Sequence, residues 1–544
     1  MKRNWNIRYD ANRVWLSRAL IILVLSLSGC GTSLDEQPCQ VDPRCLRYGL
    51  AADIPVLDPH YADAPEAGMI FRQIYDTLVY RGGESQEFVP GLARAWEVSP
   101  DGLVYTFTLR ADVLFHDGSR FDAAALGHNI ERIFDANIAE SRARDLLGPL
   151  TQYEIIGDFS IRLILASPFP GLLDGLSQPY LGIASPAALG THDSLRYQFH
   201  QVGTGPFRLE NYLPGERIVL RRFDDYQVSP EIYLPLSGDE ITRLEFVLRS
   251  ARAVDALSAL SESLDVLDDL SPIDAQNLAG NSRVQILPVE IPGLAAQFLL
   301  NTRRKHIDMR SVRLALLLAT NRIAISDRVY FNFSPVAWAP LSTSTGFSHT
   351  GYVDKFAHDL AAAQALLAEA GYADSDADGV IDRDGEPLTL AAVVPPWGGL
   401  PAVASLLQSQ WQALGVALVI EPVPGRSRLR SLIQSGSYDL IPVDQYGIDP
   451  NVISSVFLQD SLFGASQLPN EELERLLLSA RHTTDSQMRR TLVYDIQAKI
   501  MDDVLILPIR EAVRLTAARA DLSRLRFDAF GFYPLLYNVA LIGG

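Results

Sequence analysis

The sequence predicts a protein that is built of both helices and strands and is too long for a single hydrophobic core. The chain has 544 residues, whereas single cores stop growing at about 250 to 300 residues. Period-two hydrophobic patterns bounded by turn residues predict strands, and apolar residues spaced three and four apart predict helices. We therefore expect two or three lobes.

The clearest local pattern is residues 90–118, PGLARAWEVSPDGLVYTFTLRADVLFHDG. Residues 99–102 (SPDG) predict a tight turn, because proline presets φ and glycine accepts positive φ. From Val104 to Leu109 large apolar residues alternate with valine and threonine, which predicts a half-buried strand. The segment should form a β-hairpin followed by a helix that begins near Phe121, and Trp96 should close a helix of small residues before the turn.

Residues 1–29 have the pattern of a secretion signal. Five basic residues and one acidic residue lie in this segment, and its apolar core from Ala19 to Gly29 has eleven residues. A bilayer-spanning helix needs about 20 residues. The core ends in LSGC, which resembles a bacterial lipobox, so we expect cleavage before Cys30 and lipidation of its thiol. A buried core helix is the alternative.

The charge and the cysteines indicate an exported protein that binds no nucleic acid. Removal of residues 1–29 takes away five basic and one acidic residue, so the formal charge moves from −18 to about −22, and phosphate binding needs basic surface. This charge is typical of a solvated surface, and we expect a monomer. Outside the cytosol Cys39 and Cys45 can form a disulfide that closes a short loop. Two free thiols are the alternative.

Further motifs follow one another along the chain. They are residues 54–80 (IPVLDPHYADAPEAGMIFRQIYDTLVY), 202–207 (VGTGPF), 299–325 (LLNTRRKHIDMRSVRLALLLATNRIAI), 408–419 (QSQWQALGVALV) and 449–450 (DP). The glycines of 202–207 precede a proline and a strand and lack a third glycine, which excludes a dinucleotide-binding loop. Within 299–325, Asp308 should cap the start of a helix that buries Val312 and Leu316.

In this order, these motifs and residues 90–118 resemble the family-5 extracellular solute-binding proteins of ABC importers, which include dipeptide- and oligopeptide-binding lipoproteins. The resemblance implies an α/β fold, the periplasmic-binding-protein-like hinged clamp of type II in its large, three-region (cluster C) form. It implies lobe I at residues 46–82, 200–292 and 507–544, an inserted lobe II at 83–199 and lobe III at 293–506, with the last crossover at 506–509. Residues 30–45 would form a lipidated tether.

The resemblance also implies a mechanism. Lobes I and III would close on a solute, and a membrane permease with its ATPase subunits would recognise the closed form. The chain itself would then catalyse no reaction and need no cofactor, and it contains no HExxH, CxxC or GxSxG motif. We expect a lipid-anchored protein that faces the periplasm or the cell exterior. A signalling or adhesion receptor of the same fold and an exported hydrolase are the alternatives.

One acidic loop has the pattern of a metal site. Asp374, Asp376, Asp378 and Asp382 stand at positions 1, 3, 5 and 9 of an EF-hand-like loop, and Gly379 stands at position 6. Such oxygen-rich loops favour calcium, so a structural calcium ion is expected here. Position 12 is a glycine where the EF-hand has a bidentate glutamate, and an acidic, solvated connector is therefore the alternative.

At the expected solute site the chain departs from the peptide-binding members of the family. These members have an aspartate shortly before the DP motif of residues 449–450, and it pairs with the α-ammonium of the peptide. Tyr446 stands at that position here, and Asp444 on the same strand face is the candidate replacement. Tyr446, Gln445 and Trp397 instead favour a neutral ligand such as an oligosaccharide. A peptide is the favoured solute because the family most often binds peptides, and packing between lobes is the alternative role of the two aromatic residues.

Overall fold

The computed structural model of the chain describes residue 39 and residues 42–83, 87–135, 141–248, 260 and 263–541. The chain divides into two compact units, Met1–Pro43 and Arg44–Gly544. The predicted signal segment and Cys30 lie outside the described residues. In the first unit Cys39 is disulfide-bonded. Across the described ranges, no helix is both long and apolar enough to cross a membrane.

The second unit contains a seven-stranded sheet, here called the near sheet, that is assembled from separate stretches of chain. Its strands in spatial order are Val284–Glu290, Val513–Arg519, Val266–Leu267, Cys45–Leu50, Arg243–Leu248, Arg217–Arg222 and Phe207–Leu213. The strand Cys45–Leu50 runs parallel to both neighbours, and the other pairs are antiparallel. Its first residue, Cys45, is disulfide-bonded, and the pairing of Cys45 with Cys39 stays a prediction.

A five-stranded sheet, here called the far sheet, forms the second large layer. Its strands in spatial order are Ala417–Pro422, Thr389–Val394, Leu440–Val443, Ala296–Leu300 and Ile506–Arg510. The last strand pairs with Ala296–Leu300 from Ile506 through Arg510. The chain therefore returns to the near sheet after Arg510, and the crossover predicted at 506–509 is placed too early.

A third sheet, with four antiparallel strands, is formed by the part of the chain between the near-sheet strands Cys45–Leu50 and Phe207–Leu213. Its strands in spatial order are Ala93–Val98, Val104–Leu109, Ser160–Leu165 and Leu150–Gly157. The turn predicted at residues 99–102 is confirmed, since the Gly102 N–H donates to the Ser99 carbonyl at 2.8 Å and Gly102 has φ +70°. Alternate residues of Val104–Leu109 are buried, as predicted.

The prediction for Trp96 is wrong. Trp96 lies in the strand Ala93–Val98, directly opposite Phe107 of the next strand, and does not close a helix. Pairing with a neighbouring strand overrides the local preference of the small residues, because strand formation depends on contacts across the sheet. The predicted helix that follows is confirmed, and it runs from Ala123 to Ile133.

The N-cap prediction for Asp308 is also wrong. The helix Arg310–Ala319 has Met309 at its N-cap position and no side-chain hydrogen bond there. Because the helix begins two residues after Asp308, this carboxylate is too far along the chain to cap it. The predicted buried stripe is confirmed, since Val312 and Leu316 are fully buried.

The remaining helices surround the three sheets. The α-helices are Pro65–Ile74, Arg142–Leu146, Leu172–Leu176, Pro186–Thr191, Ser194–Tyr197, Pro272–Leu278, Arg322–Tyr330, Leu360–Glu369, Leu400–Gln412, Arg426–Ser435, Ser454–Phe457, Glu471–His482 and Ser486–Asp502, and the 3₁₀ turns are Pro179–Leu181, Thr343–Thr345, Thr350–Tyr352, Pro450–Ile453 and Gly464–Ser466. Short strand pairs join Val79–Arg81 to Phe88–Pro90, Asp382–Arg383 to Glu386–Pro387 and Leu522–Ser523 to Ala540–Leu541.

Each of the three sheets has its own buried core. Tyr48 and Phe71 lie in the core of the near sheet, Trp411 in that of the far sheet, and Phe107 in that of the four-stranded sheet. Trp411 is fully buried, and its indole N–H donates to the Thr320 hydroxyl at 3.0 Å. Separate cores allow the sheets to act as separate bodies joined by short connections.

Candidate functional site

The chain crosses between the near and far sheets at residues 291–295 and 511–512, and the first crossing positions a loop of the far sheet. The Leu294 N–H donates to the Gln445 carbonyl at 2.7 Å. Gly293 has φ +138°, and a Cβ at this position would lie 2.2 Å from the Gln445 carbonyl oxygen. Glycine is therefore needed for so close an approach of the two backbones.

This contact places Tyr446 at the boundary between the two sheets. Its backbone forms a bridge with Gly293, and its ring lies edge-on to Phe532 with centroids 5.3 Å apart. Its hydroxyl donates a hydrogen bond to the Asp444 carboxylate at 2.9 Å. Tyr446 is still 46% exposed, so its ring remains accessible to a molecule that enters between the sheets.

Asp444 carries a charge that its surroundings compensate only in part. The Asp444 side chain is exposed, but the protein around it removes part of its hydration and raises its pKa above the usual value, while the hydrogen bond from Tyr446 and the positive charges of Arg510 and Arg426 oppose that shift. A cation bound nearby would favour the ionised form. Gln445 contributes its backbone carbonyl to the crossing, and its side chain is exposed.

Residues attached to both sheets line a cavity of about 390 Å³. The near-sheet side contributes Asp269, Leu270, Ser271, Pro272, Val513 and Leu515, and the far-sheet side contributes Tyr330, Phe333, Ser334, Pro396, Trp397, Gly398, Gly399 and Arg510. The Tyr330 hydroxyl donates to the Gly398 carbonyl at 2.8 Å and so fixes the loop that carries Trp397. The cavity combines an aromatic wall with charged groups of both signs.

Arg510 gives this cavity its positive charge. Its Nη1 donates to the Ser334 hydroxyl at 3.1 Å and to the Glu511 carbonyl at 3.0 Å, and its guanidinium lies 4.3 Å from the Tyr330 ring centroid. Its Nε is buried without a hydrogen-bond partner in the described part of the chain. A guanidinium that donates only to neutral oxygens favours a carboxylate as its further partner.

Two other arginines, Arg514 and Arg489, form ion pairs with carboxylates. Arg514 forms an ion pair with Asp268 and packs over Phe532, 5.3 Å from its ring centroid. In the DP motif, the Asp449 carboxylate accepts hydrogen bonds from both terminal nitrogens of Arg489, at 2.7 and 2.8 Å. Arg510 differs from both of these arginines, because the oxygens that accept its hydrogen bonds are neutral.

The acidic loop brings together three of its four predicted ligands. One carboxylate oxygen from each of Asp374, Asp376 and Asp378 lies within 4.8 Å of the others. Asp382 instead accepts hydrogen bonds from the N–H and the hydroxyl of Ser375, at 3.0 and 2.5 Å, and these bonds lower its pKa. The geometry therefore suits a cation at the first three positions, and Asp382 holds the loop backbone.

The sequence brought Trp397, Asp444 and Tyr446 to attention, but it did not point to Arg510 or Phe532. Both residues are far from Trp397, Asp444 and Tyr446 in the sequence, and neither belongs to a local motif. A usable signal exists for Arg510, because it is a charged residue at the end of the otherwise apolar strand ILPIR. Phe532 stands in an aromatic segment, FGFY, which gives no comparable signal.

Two sheets joined by two short crossings, with a charged and aromatic cavity between them, define a hinged binding protein. Residues 87–465 match the family model described as bacterial extracellular solute-binding proteins, family 5 middle. The match covers more than half of the chain, and the protein belongs to this family. The predicted family and the predicted clamp fold are therefore confirmed.

Known proteins similar to this chain agree with the assignment. Over 471 residues the chain is 26% identical to the glutathione-binding protein GsiB of Pectobacterium atrosepticum. The aligned region covers 82% of this chain and 84% of that protein. The fold is similar to NikA of Brucella suis in complex with Fe(III)-EDTA, with a TM-score of 0.79 and 21% identity over 91% of this chain and 99% of that one. A dipeptide-binding protein of Pseudoalteromonas in complex with Met-Leu gives a TM-score of 0.71 and 21% identity over 91% and 100% of the two chains.

The family sets the general function. Its members are extracellular or periplasmic solute-binding proteins and not enzymes. Proteins of this kind bind small molecules or peptides and interact with the permease of an ABC importer. This chain is therefore a solute-binding protein of that class.

Proposed function

We propose that the protein captures a peptide-like solute between the near and far sheets and delivers it to the permease and ATPase subunits of an ABC importer. The observation that carries the proposal is a pair of opposite charges at the boundary between the sheets: Arg510 lines the cavity, and its positive charge acts on Asp444. A peptide has an α-ammonium and a carboxylate, and so complements both groups. Glutathione and Met-Leu, the ligands named for two similar proteins, are peptides and support this class.

Capture would proceed by closure of two lobes on the solute. Lobe I carries the near sheet and lobe III the far sheet, and the insert at residues 83–199 forms lobe II. The boundaries are those expected from the sequence, except that lobe III extends through Arg510. The solute shifts the equilibrium only by its preference for the closed form. The chain acts as a monomer and catalyses no reaction.

An oligosaccharide is the second candidate solute. Its supporting observation is the position of two aromatic rings, Trp397 in the cavity wall and Tyr446 at 46% exposure. Sugars stack on such rings and accept hydrogen bonds from arginine. A neutral sugar, however, would supply no positive charge to Asp444, whereas a peptide supplies its α-ammonium, which favours the peptide.

Isothermal titration calorimetry of the mature protein against defined peptides, their N-acetylated forms and neutral oligosaccharides tests the proposal. Peptides should bind, and N-acetylation should abolish binding because it removes the ammonium. Asp444→Asn and Arg510→Met should each weaken peptide binding at least about tenfold, which corresponds to about 1.4 kcal/mol. The matched control is Asp460→Asn, which neutralises an exposed carboxylate outside the cleft.

The outcomes separate the two solutes. Binding of oligosaccharides but not of peptides would show that the solute is a sugar. Peptide binding that is indifferent to acetylation and to Asp444→Asn would remove Asp444 from the site. No binding of either class by a folded protein would contradict the proposed substrate range.

We also propose that Cys30 carries a lipid that anchors the mature protein to the membrane, on its periplasmic or outer side. The lipobox-like LSGC and the basic, apolar segment before it support this anchor. Wild-type protein should fractionate with membranes, whereas Cys30→Ala should be released or remain uncleaved. A wild-type protein that mass spectrometry finds soluble and unlipidated would contradict the anchor.

A further inference from the structure

Glu511 occupies the second crossing between the sheets. It stands between the strands Ile506–Arg510 and Val513–Arg519 and is only 4% exposed. Its N–H donates to the Pro335 carbonyl at 2.8 Å, and its carbonyl accepts a hydrogen bond from the Ser334 hydroxyl at 2.5 Å. The backbone of Glu511 is therefore held on both sides, and its side chain is almost entirely excluded from water.

The carboxyl of Glu511 connects both crossings through one loop. It accepts a hydrogen bond from the Thr343 N–H at 3.3 Å and another from Ser342. The Ser342 N–H in turn donates to the Gly293 carbonyl at 2.9 Å, in the first crossing. Residues 342–343 therefore tie the two crossings together, and Glu511 provides one end of this tie.

No cation compensates the carboxyl of Glu511 within the described ranges. The groups that act on it are Ser342, Thr343 and Glu290, and Glu290 is itself negatively charged. Burial dominates and raises the pKa of Glu511 to about 7. The carboxyl therefore changes its charge near neutral pH.

The two nearby arginines are directed elsewhere. Arg510 donates to the backbone carbonyl of Glu511 and to the Ser334 hydroxyl. Arg514 is paired with Asp268. The pKa of the Glu511 carboxyl is thus determined by its burial, its two hydrogen-bond donors and the charge of Glu290.

The tie also reaches the cleft. Gly293, whose carbonyl accepts the Ser342 N–H, forms a backbone bridge with Tyr446. The next residue, Leu294, donates to the Gln445 carbonyl at 2.7 Å. A change at the Glu511 carboxyl can therefore reach Tyr446 through residues 342–343 and the backbone contacts of Gly293 and Leu294.

We propose that Glu511 is a protonation switch in the hinge: its neutral form holds the two crossings in the arrangement described here, and its ionised form loosens them. The inference rests on the proposed function, because it assigns a regulation to the same clamp. Because residues of both sheets line the cavity in the arrangement that the neutral form holds, solute capture should then be strongest in acidic surroundings.

The direction follows from burial. An arrangement that exposes the crossing to water returns the pKa of Glu511 towards its ordinary value, below the value of about 7 in the tied arrangement. The tied arrangement is then favoured below pH 7 and loses this advantage as the pH rises through about 7. A difference of only half a pKa unit between the two arrangements changes their ratio about threefold.

Hydrogen exchange of the ligand-free mature protein tests the switch without any solute. Peptides that cover residues 291–295 and 341–345 are compared at each pH with a reference peptide from the strand Thr389–Val394, which cancels the chemical pH dependence of exchange. From pH 6 to pH 8 the relative protection of both crossing peptides should fall about threefold. The midpoint should lie near pH 7.

Two variants give this profile its control. Glu511→Gln keeps a neutral side chain of similar size, and it should retain the protection seen at acidic pH throughout the range. Glu290 is exposed, and its negative charge raises the pKa of Glu511. Glu290→Gln removes this charge, so it should move the midpoint to lower pH. A flat profile in wild type, a wild-type profile in E511Q or an unchanged midpoint in E290Q would overturn the switch.

Calorimetry with the peptide that binds best then separates this inference from the proposed function. From pH 6 to pH 8 its Kd should rise about threefold more in wild type than in E511Q, because deprotonation of the peptide's α-ammonium near pH 8 weakens binding to both proteins equally. Tight binding with the same pH profile in both proteins overturns the switch and leaves the proposed function intact. A switch seen by hydrogen exchange, without binding of any peptide, supports Glu511 and contradicts the proposed solute class.

Discussion

At the scale of single residues, the charged groups of the far-sheet region have two different roles. Asp449 and Arg489 form a two-pronged ion pair whose side chains are 14% and 9% exposed. Each of these charges depends on the other, because little water reaches them. Arg510 donates to neutral oxygens only, and Asp444 is held by the hydroxyl of Tyr446. We expect the ion pair to stabilise the fold, and we propose the last two groups as partners of the solute.

Asp449→Asn should therefore affect stability. The substitution leaves Arg489 largely buried without its counter-charge, and we expect a loss of about 3 kcal/mol in the free energy of unfolding. Urea denaturation of the mature protein measures it. Asp460→Asn, at an exposed position, should change stability by less than about 0.5 kcal/mol. Equal stability of both variants and wild type would show that the ion pair contributes nothing.

The sequence indicated some residues of the cleft and missed others for a physical reason. Tyr446 and Trp397 were found because aromatic residues near glycine, proline and aspartate stand out locally. Arg510, Phe532 and Glu511 are ordinary residues in their own segments. Their importance arises from contacts over long separations in the sequence, which local patterns do not contain.

At the scale of elements, local periodicity predicted the strand Val104–Leu109 well, because alternate burial depends only on the pleat of the strand. The prediction for Trp96 failed because its strand is stabilised by pairing with Phe107. The acidic loop shows both effects. Its aspartates could be read from their spacing, but the capture of Asp382 by Ser375 depends on how the loop folds back.

The loop also allows a test of the predicted calcium ion. Three carboxylates within 4.8 Å repel one another, so a bound cation should raise the melting temperature of the mature protein. At about 100 times its Kd, calcium would add about 2.7 kcal/mol of stability. Scanning calorimetry in calcium and in EDTA measures the effect, and Asp376→Asn should reduce it. Identical melting temperatures in calcium and EDTA would leave the loop as a solvated connector.

At the scale of the whole molecule, chain length predicted more than one lobe, and the family motifs predicted their order. The end of the far sheet could not be placed from the sequence, because ILPIR reads as one apolar strand that either large sheet could accept. Pairing with Ala296–Leu300 assigns this strand to the far sheet, so the second crossing lies at residues 511–512. The same shift places Glu511 in the hinge and Arg510 at the edge of the cleft.

A solute that binds between the two large sheets should favour their closure. Small-angle X-ray scattering of the mature protein, with and without the peptide that binds best in calorimetry, tests it most directly. We expect the radius of gyration to fall at saturation, because the solute stabilises only the form in which both sides contact it. Arg510→Met at the same peptide concentration should show a smaller fall. An unchanged radius of gyration at saturating peptide, from a ligand-free form that is open, would contradict the clamp.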